Sequence, residues 1–284
     1  MTLLSWEDVV GGRSGIDRPI DLTIGAFDGL HLGHRALIAA ITEQPSEAVS
    51  LVITFRRNPA IILGKGSFPG LILSHRQTLE RLQSLGVQAV AVVDFSDEMS
   101  KLSGRAFVGL LKENLGIRRI VVGHDFRFGR NRDTDAGSLS SMLAGTGIGV
   151  HVKGPVLHRG GVVSSSRIRK SIQEASFADA REMLLADHAV DLRELPVERA
   201  GAGRARIARA AVPQVLPGPG RYAVLYAACT EAGGGTRDTA GGVLLPGDLD
   251  IDADSLLLAW SGGADAAAVI FAHEKNERSF REWL

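Results

Sequence analysis

Two histidines, His31 and His34, stand either side of a glycine in "TIGAFDGLHLGHRALIAAI", residues 23–41. Four kinds of chemistry fit that spacing: a metal site, an acid–base pair, an anion grip, or a plain surface turn. A zinc-type centre needs three or four N, S or O ligands. Asp28 is available, but no other His/Cys/Glu cluster stands out and the chain has a single cysteine, Cys229, so no protein metal site is expected. The anion grip fits the surroundings better. A strand-like run leads through Gly25, Ala26, Phe27, Asp28 and Gly29 to a helix start near Gly33. In an α/β sheet, the turn after a strand's carboxyl end faces the ligand crevice. Unpaired N–H groups and the positive end of the helix dipole then point into it. Gly25 and Gly29 allow close backbone approach, and the two imidazoles add N–H donors.

A second constellation lies in "VVSSSRIRKSI", residues 162–172. Ser164, Ser165 and Ser166 fall where a helix would start, and Arg167 and Arg169 lie in its first turn. Capping explains one serine. It does not explain two arginines at the helix end that repels cations, whereas a docked triphosphate does. In "DFRFGR", residues 125–130, Phe126 and Phe128 flank Arg127, and Gly129 turns the chain toward Arg130. Alternating phenylalanines read either as strand burial or as a loop that holds a ligand.

The elements around these motifs alternate. "IDLTIGAF", "AVSLVITF", "VQAVAVVDF" and "RRIVVG" read as buried strands. "RQTLERLQSL" carries Leu79, Leu82 and Leu85 at helical spacing up to Gly86, and "FVGLLKENLG" carries Phe107, Leu110, Leu111 and Leu115 up to Gly116. Strand, helix and strand with short connections predict an α/β domain, a parallel sheet with crossover helices, over residues 1–186. From residue 187 the composition turns to Gly, Pro and short β-like runs, which predicts a small, mostly β domain over 187–284, with "HEKNERSFREWL" as a closing helix. Cys229, inside "YAVLYAAC", reads as a buried filler.

Composition bounds the rest. Of 284 residues, 45% are hydrophobic, enough for a sizeable core, and 32 basic residues cancel 32 acidic ones. Net charge therefore argues for neither nucleic acid nor an anionic membrane as a partner; any basic patch must be local, and "RFGRNR" is one. "MTLLSWEDVV" lacks the pattern of a signal peptide, and no apolar run approaches the ~20 residues of a membrane span. A cytoplasmic protein is expected.

"GAFDGLHLGH" resembles the HxGH nucleotidyltransferases, which adenylylate or cytidylylate phosphate-bearing small molecules. Three further stretches narrow the likeness. "VVGHDFRFGRNRDTDAGSL", "VVSSSRIRKSI" and "LVITFRRNPA" resemble, in order and spacing, segments of the prokaryotic bifunctional riboflavin kinase/FMN adenylyltransferase family. The likeness covers residues 20–186. It implies a Rossmann-like nucleotidyltransferase domain that takes ATP and FMN to FAD and pyrophosphate, with Mg2+ carried mainly on the ATP phosphates. It implies catalytic roles for His31, His34 and Arg167. Ligand-binding roles fall to Gly25, Ala26, Phe27, Asp28, Gly29, Gly33, Asn58, Asp125, Phe126, Arg127, Phe128, Arg130, Ser164, Ser165, Ser166 and Arg169. The chain departs from the family pattern at Arg56, Arg57 and Asn58, where an acidic residue, Pro and His are common, and retains Pro59. Ala26 stands where the family often has Asn. A nucleotidyltransferase for another phosphorylated acceptor and a non-catalytic flavin-nucleotide sensor are the alternatives, and the paired HxGH and SSSRIR motifs speak against the sensor.

The second domain departs further. "VLPGPGRYAVLY" resembles a strand of the family's kinase barrel, but the Pro-Thr pair of its phosphate-binding loop occurs nowhere in the chain. "GAGRAR" has no Ser or Thr to reach a metal. Asp248, Asp250, Asp252 and Asp254 alternate, so on a strand they share one face, most simply the solvated one. A degenerate barrel without a kinase loop is expected. Incubating riboflavin with MgATP, in a preparation free of host kinase, should therefore give no FMN by chromatography.

Overall fold

The computed structural model describes residues 1–43, 47–58, 61, 68–94, 101–201, 203–228, 230–231, 237–238, 244–260 and 266–271. Cys229, Pro59 and the expected closing helix at 273–284 lie outside them. The chain divides into two compact units, Met1–Phe68 with Thr78–Val163, and Pro69–Gln77 with Ser164–Leu284.

The first unit is built in the order β1 (Thr2–Ser5), α1 (Trp6–Val10), β2 (Ile20–Ile24), α2 (Leu32–Thr42), β3 (Val49–Phe55), α3 (His75–Ser84, whose first turn belongs to the other unit), β4 (Ala89–Val93), α4 (Gly104–Asn114), β5 (Ile117–Gly123), α5 (Ala136–Leu143) and β6 (Gly149–Lys153). All six strands run parallel in the order β1-β4-β3-β2-β5-β6. Every residue of β2 and β4 is buried, which is why these strands read as unbroken apolar runs rather than as alternating ones. Phe107, Val108 and Leu111 of α4 enter the core, and Leu139 and Leu143 of α5 join them. Leu110, expected on that face, is only half-buried. The two strands at the sheet's edges, β1 and β6, carried no apolar signal. Their exposed patterns explain it, since an edge strand has less core to face.

From β2 the chain steps outward through β3 to β4, then returns to the other side of β2 as β5. The carboxyl ends of β2 and β5 therefore flank the point where the winding reverses, the place where open α/β sheets bind ligands. A bulge sets the register of these two strands. Ile20 pairs with Ile117 but Asp21 with Arg119, so Arg118 is the extra residue. The local kink brings Arg118 and Arg119, which a regular strand would send to opposite faces, to the same carboxylate. Asp21 is 1% exposed; Arg118 donates to it through Nε at 2.8 Å and Nη2 at 2.6 Å, and Arg119 Nη2 lies 2.7 Å away. Burial alone would raise the Asp21 carboxyl, but the bonds from both arginines outweigh it and hold the group below its usual 3.8.

In the second unit, helices α6 (Ser165–Gln173) and α7 (Phe177–Leu184) precede a seven-stranded sheet. Its strands are β7 (His188–Asp191), β8 (Glu198–Arg199), β9 (Arg204–Ala208), β10 (Gly220–Ala228), β11 (Leu244–Ile251), β12 (Ser255–Trp260) and β13 (Ala266–Phe271). They pair antiparallel in the order β7-β13-β10-β11-β12-β9-β8, with no pairing between the two ends among the described residues. Tyr226, Leu249, Val269 and Phe271 centre its core. The aspartates behave as solvated groups. Asp250 is exposed, Asp248 pairs with Arg221 at 2.9 Å, and Asp252 accepts the N–H groups of Asp254 and Ser255 in the turn.

Residues 69–77 belong to this unit. Leu71 exchanges backbone bonds with Pro213 and Val215, Gln214 Nε2 reaches the Ile72 carbonyl at 3.2 Å, and Ser74 Oγ donates to Asp191 at 2.9 Å. Gly70 sits at φ +115°, and a Cβ there would come within 2.6 Å of the Val215 nitrogen. Asp21→Asn in the first unit should cost about 2–3 kcal/mol in urea unfolding, below the range for fully buried pairs because Arg118 stays partly in water. Since the Asp21 group is held below 3.8, its contribution is present above that pH and lost as pH falls through the folded value. The variant's stability should therefore depend less on acid than the wild type's.

Candidate functional site

At the end of β2 the Gly25 N–H still bonds the Ile53 carbonyl at 3.1 Å, and the chain then turns sharply. Phe27 (φ +49°), Gly29 (φ +92°) and Leu30 (φ +45°) are left-handed, and the turn closes by Leu30 N–H to the Phe27 carbonyl at 3.2 Å. Left-handed backbone suits Gly29; at Phe27 and Leu30 it costs of order 1–3 kcal/mol each. Both side chains are 0% exposed, and burial of that kind returns roughly 2–3 kcal/mol each, enough to hold the turn. Asp28, the carboxylate considered for a metal, is buried in it.

His31 caps α2. Its Nδ1 accepts the His34 backbone N–H at 3.4 Å. That bond requires a bare nitrogen at Nδ1, so the ring proton of a neutral His31 sits on Nε2. The two imidazoles stack, with centroids 3.7 Å apart and planes 15° from parallel, and Phe27 meets His34 edge-on at 5.3 Å. Gly33 makes the arrangement possible, because a Cβ there would lie 3.2 Å from Cε1 and 3.3 Å from Nδ1 of His31. Burial, and secondarily His31 beside it, holds His34 well below the ordinary 6.5, so the ring is neutral near pH 7. Its Nδ1 is buried and makes no hydrogen bond. The helix start therefore offers backbone amides and a neutral His34 ring, with no acidic side chain in the first turn. Such a cluster suits phosphate oxygens.

The end of β5 supplies the other wall. His124 and Asp125 are exposed, and a short ribbon pairs Arg127–Phe128 with Thr134–Asp135. Phe126 and Phe128 stack at 5.0 Å, and Phe128 packs on Phe107 at 5.7 Å. Both phenylalanines thus serve the core, while Arg127 and Arg130 stay exposed. The loop is pinned by Asp133, which accepts the Gly104 N–H at 3.0 Å, and by Gly129 (φ +80°), where a Cβ would strike Asp133 and Gly104. At the end of β3, Thr54 Oγ1 donates to the Ala26 carbonyl at 3.4 Å, and Arg56 pairs with Asp94 at 3.3 Å. Arg57 is exposed and Asn58 half-buried. The structure thus brings Gly25–His34, Asn58 and Asp125–Arg130 to strand ends of one unit. Ser164–Arg169 belong to the other.

There, Ser164 caps α6 by accepting the Arg167 N–H at 3.2 Å, with Ser166 exposed and Ser165 half-buried. Arg167 is 28% exposed and faces Asp179 at 3.7 Å. Arg169 is buried, and its Nε donates to the Gly70 carbonyl at 2.8 Å. No sequence pattern pointed to Gly70, because a side-chain bond spanning 99 residues leaves no local trace. Nor was the acceptor role of His31 Nδ1 foreseen, histidine being an uncommon cap.

A sequence model of the FAD synthetase family matches residues 14–167. The chain is 31% identical over 236 residues to a bifunctional riboflavin kinase/FMN adenylyltransferase of Escherichia coli K12, a match covering 78% of this chain and 74% of that one. It is also 31% identical over 166 residues to an FAD synthetase of Listeria monocytogenes, covering 57% and 67%. Against a bifunctional enzyme of Buchnera aphidicola from Acyrthosiphon pisum, also 31% identical, the match spans 54% of this chain and half of that one. Among solved structures, a macrolide-efflux protein of Streptococcus pneumoniae shares the fold, with a TM-score of 0.73 at 20% identity over 95% of this chain and 98% of that one.

Because His34 binds a proton less readily when folded, the unfolded chain holds more protons just below pH 6.5. Stability must then fall as pH drops below that value, by at most about 1.4 kcal/mol per pH unit. His34→Gln should flatten this part of the stability–pH curve, measured as Tm between pH 7.5 and 5.

Proposed function

The chain belongs to the FAD synthetase family, and from that premise we propose that it is an FMN adenylyltransferase. An FMN phosphate oxygen attacks the α-phosphorus of MgATP in line. The bond from that phosphorus to the bridging oxygen of the β-phosphate breaks, pyrophosphate leaves, and FAD remains. A phosphate monoester is already a nucleophile, so the protein's task is positioning and charge stabilisation. The observation that carries the reading is the stacked pair of histidines at the start of α2, at the point where the winding reverses.

In this reading Nε2–H of His31, the His34 ring and the free amides of the first turn of α2 steady the α- and β-phosphates. Gly25, Ala26, Phe27, Asp28, Gly29 and Gly33 shape the turn, and Asn58 offers a hydrogen bond beside it. Asp125, Arg127 and Arg130 line the entrance for nucleotide and flavin, with Phe126 and Phe128 holding their loop. Arg167, with the hydroxyls of Ser164, Ser165 and Ser166, takes the leaving pyrophosphate, and Arg169 fixes the start of α6 by its bond to the Gly70 carbonyl. Magnesium arrives as part of the ATP substrate; among the described residues no three His, Cys, Asp or Glu side chains come together to cage it. The catalytic part is residues 1–186, although 164–186 pack within the second unit, and 187–284 carry no kinase role. We place the enzyme in the cytoplasm; among the described residues no helix is long and apolar enough to cross a membrane.

Incubation with MgATP and FMN should yield FAD and pyrophosphate in equal amounts. Formation of neither, with folded protein, would sink the proposal. His31→Ala and His34→Ala should each keep the fold and lower kcat roughly 10²-fold, the usual loss for an oxyanion donor. Arg167→Ala should raise KM for ATP more than KM for FMN.

A further inference from the structure

Helix α2 carries the phosphate-facing cap at its first residue, so the direction of its axis aims the site. Eleven residues make a rod of ~16 Å. Its start is held by the turn after β2. What holds its other end lies toward the amino-terminal ends of the strands, away from the chemistry. The last carbonyls of a helix have no partner within it, and that of Ala40 receives Arg119 Nη2 at 2.7 Å. The same nitrogen lies 2.7 Å from Asp21 Oδ2, itself buried in β2 and held again by Arg118. One guanidinium nitrogen thus ties three elements together: β5 through its own backbone, β2 through Asp21 and α2 through Ala40. The cation also sits at the negative end of the helix dipole.

We propose that Arg119 is a positioning residue for adenylyl transfer, aiming the N-terminus of α2 from its far end. The inference rests on the adenylyltransferase reading. β2 and β5 are the strands that flank the crevice. The bulge at Asp21 is what brings Arg119 inward, where it is 18% exposed against 45% for Arg118. Asp21 and the turn at Gly25 are four residues apart, ~13 Å along a strand, so Arg119 touches no substrate. Its effect passes through the rigid helix. A tilt that shifts the cap by even 1 Å costs up to 10²-fold in rate.

Arg118 provides the control. It binds the same carboxylate but makes no bond to α2, so a merely structural role predicts equal damage from either arginine. The test compares Arg119→Met, Arg118→Met and Arg119→Lys with wild type in FMN adenylylation, at a temperature where thermal melts show each fully folded. Arg119→Met should lower kcat about tenfold while KM for MgATP and FMN moves less than threefold. Arg118→Met should stay within twofold of wild type. Arg119→Lys, whose ammonium can meet both oxygens, should recover most of the turnover. NMR should show the His31 and His34 ring signals displaced in Arg119→Met and unmoved in Arg118→Met. If Arg119→Met does not fold, Arg119→Gln, which keeps an NH2 donor but has a shorter reach and no charge, is measured under the same criteria. Wild-type kcat in the Arg119 variant, equal losses at both arginines, or unmoved histidine signals would each overturn the proposal. Absence of FAD formation by the wild type would instead overturn the adenylyltransferase reading, leaving the NMR comparison to judge Arg119 on geometry alone.

Discussion

The turn that leaves β2 is the constraint from which the site follows. β2 is buried along its whole length and paired on both sides, so the chain can change direction only at its carboxyl end. Phe27 and Leu30 accept left-handed backbone there because both side chains are fully buried. Loosening either would release the entry angle of α2, and with it the capping bond, the ring stack and the neutral state of His34. The glycines have separate jobs: Gly29 takes the positive φ, while Gly33 leaves room for an imidazole.

Charge is arranged to match. The start of α2 offers backbone amides and a His34 ring that burial keeps from protonating. The cations lie elsewhere, on the loop at Arg127 and Arg130 and at the start of α6. Donors fixed in place need no reorganisation as charge moves between oxygens. Burying a cation in the turn would have demanded a buried counter-charge, at a desolvation cost of several kcal/mol.

Much of this was legible in the sequence. The buried strands β2, β3, β4 and β5 announce themselves as β-branched runs, and the place of the histidines, between such a run and the start of a helix, is the one they take at the head of α2. The cap by Ser164 follows from residue type. What stayed hidden was whatever depends on partners distant in sequence. β1 and β6 lie at the sheet's edges, where half the apolar pattern is missing. Arg118 and Arg119 stand at the head of a run that reads as a buried strand, and nothing in it shows that a bulge turns both toward Asp21. Arg169 reads as a phosphate ligand from its place in a helix's first turn, yet its Nε is spent on a carbonyl.

The segment at residues 69–77 bears on how the chain matures during synthesis. It leaves the ribosome early, but its partners are made late: Arg169 binds Gly70 across 99 residues, and Gln214 binds Ile72 across 142. Until those residues emerge, Leu71, Ile72 and Leu73 have no sheet to cover them, and the nascent chain carries a sticky loop for several seconds at ordinary elongation rates. A chain stopped before residue 164 keeps that loop exposed permanently. A C-terminal fragment begun at residue 187 loses both the loop and α6, so Gln214 gives up its bonds to Ile72 and Gln77 and Asp191 its bond to Ser74. Neither half can therefore be excised cleanly, which ties the fate of the β domain to that of the α/β domain.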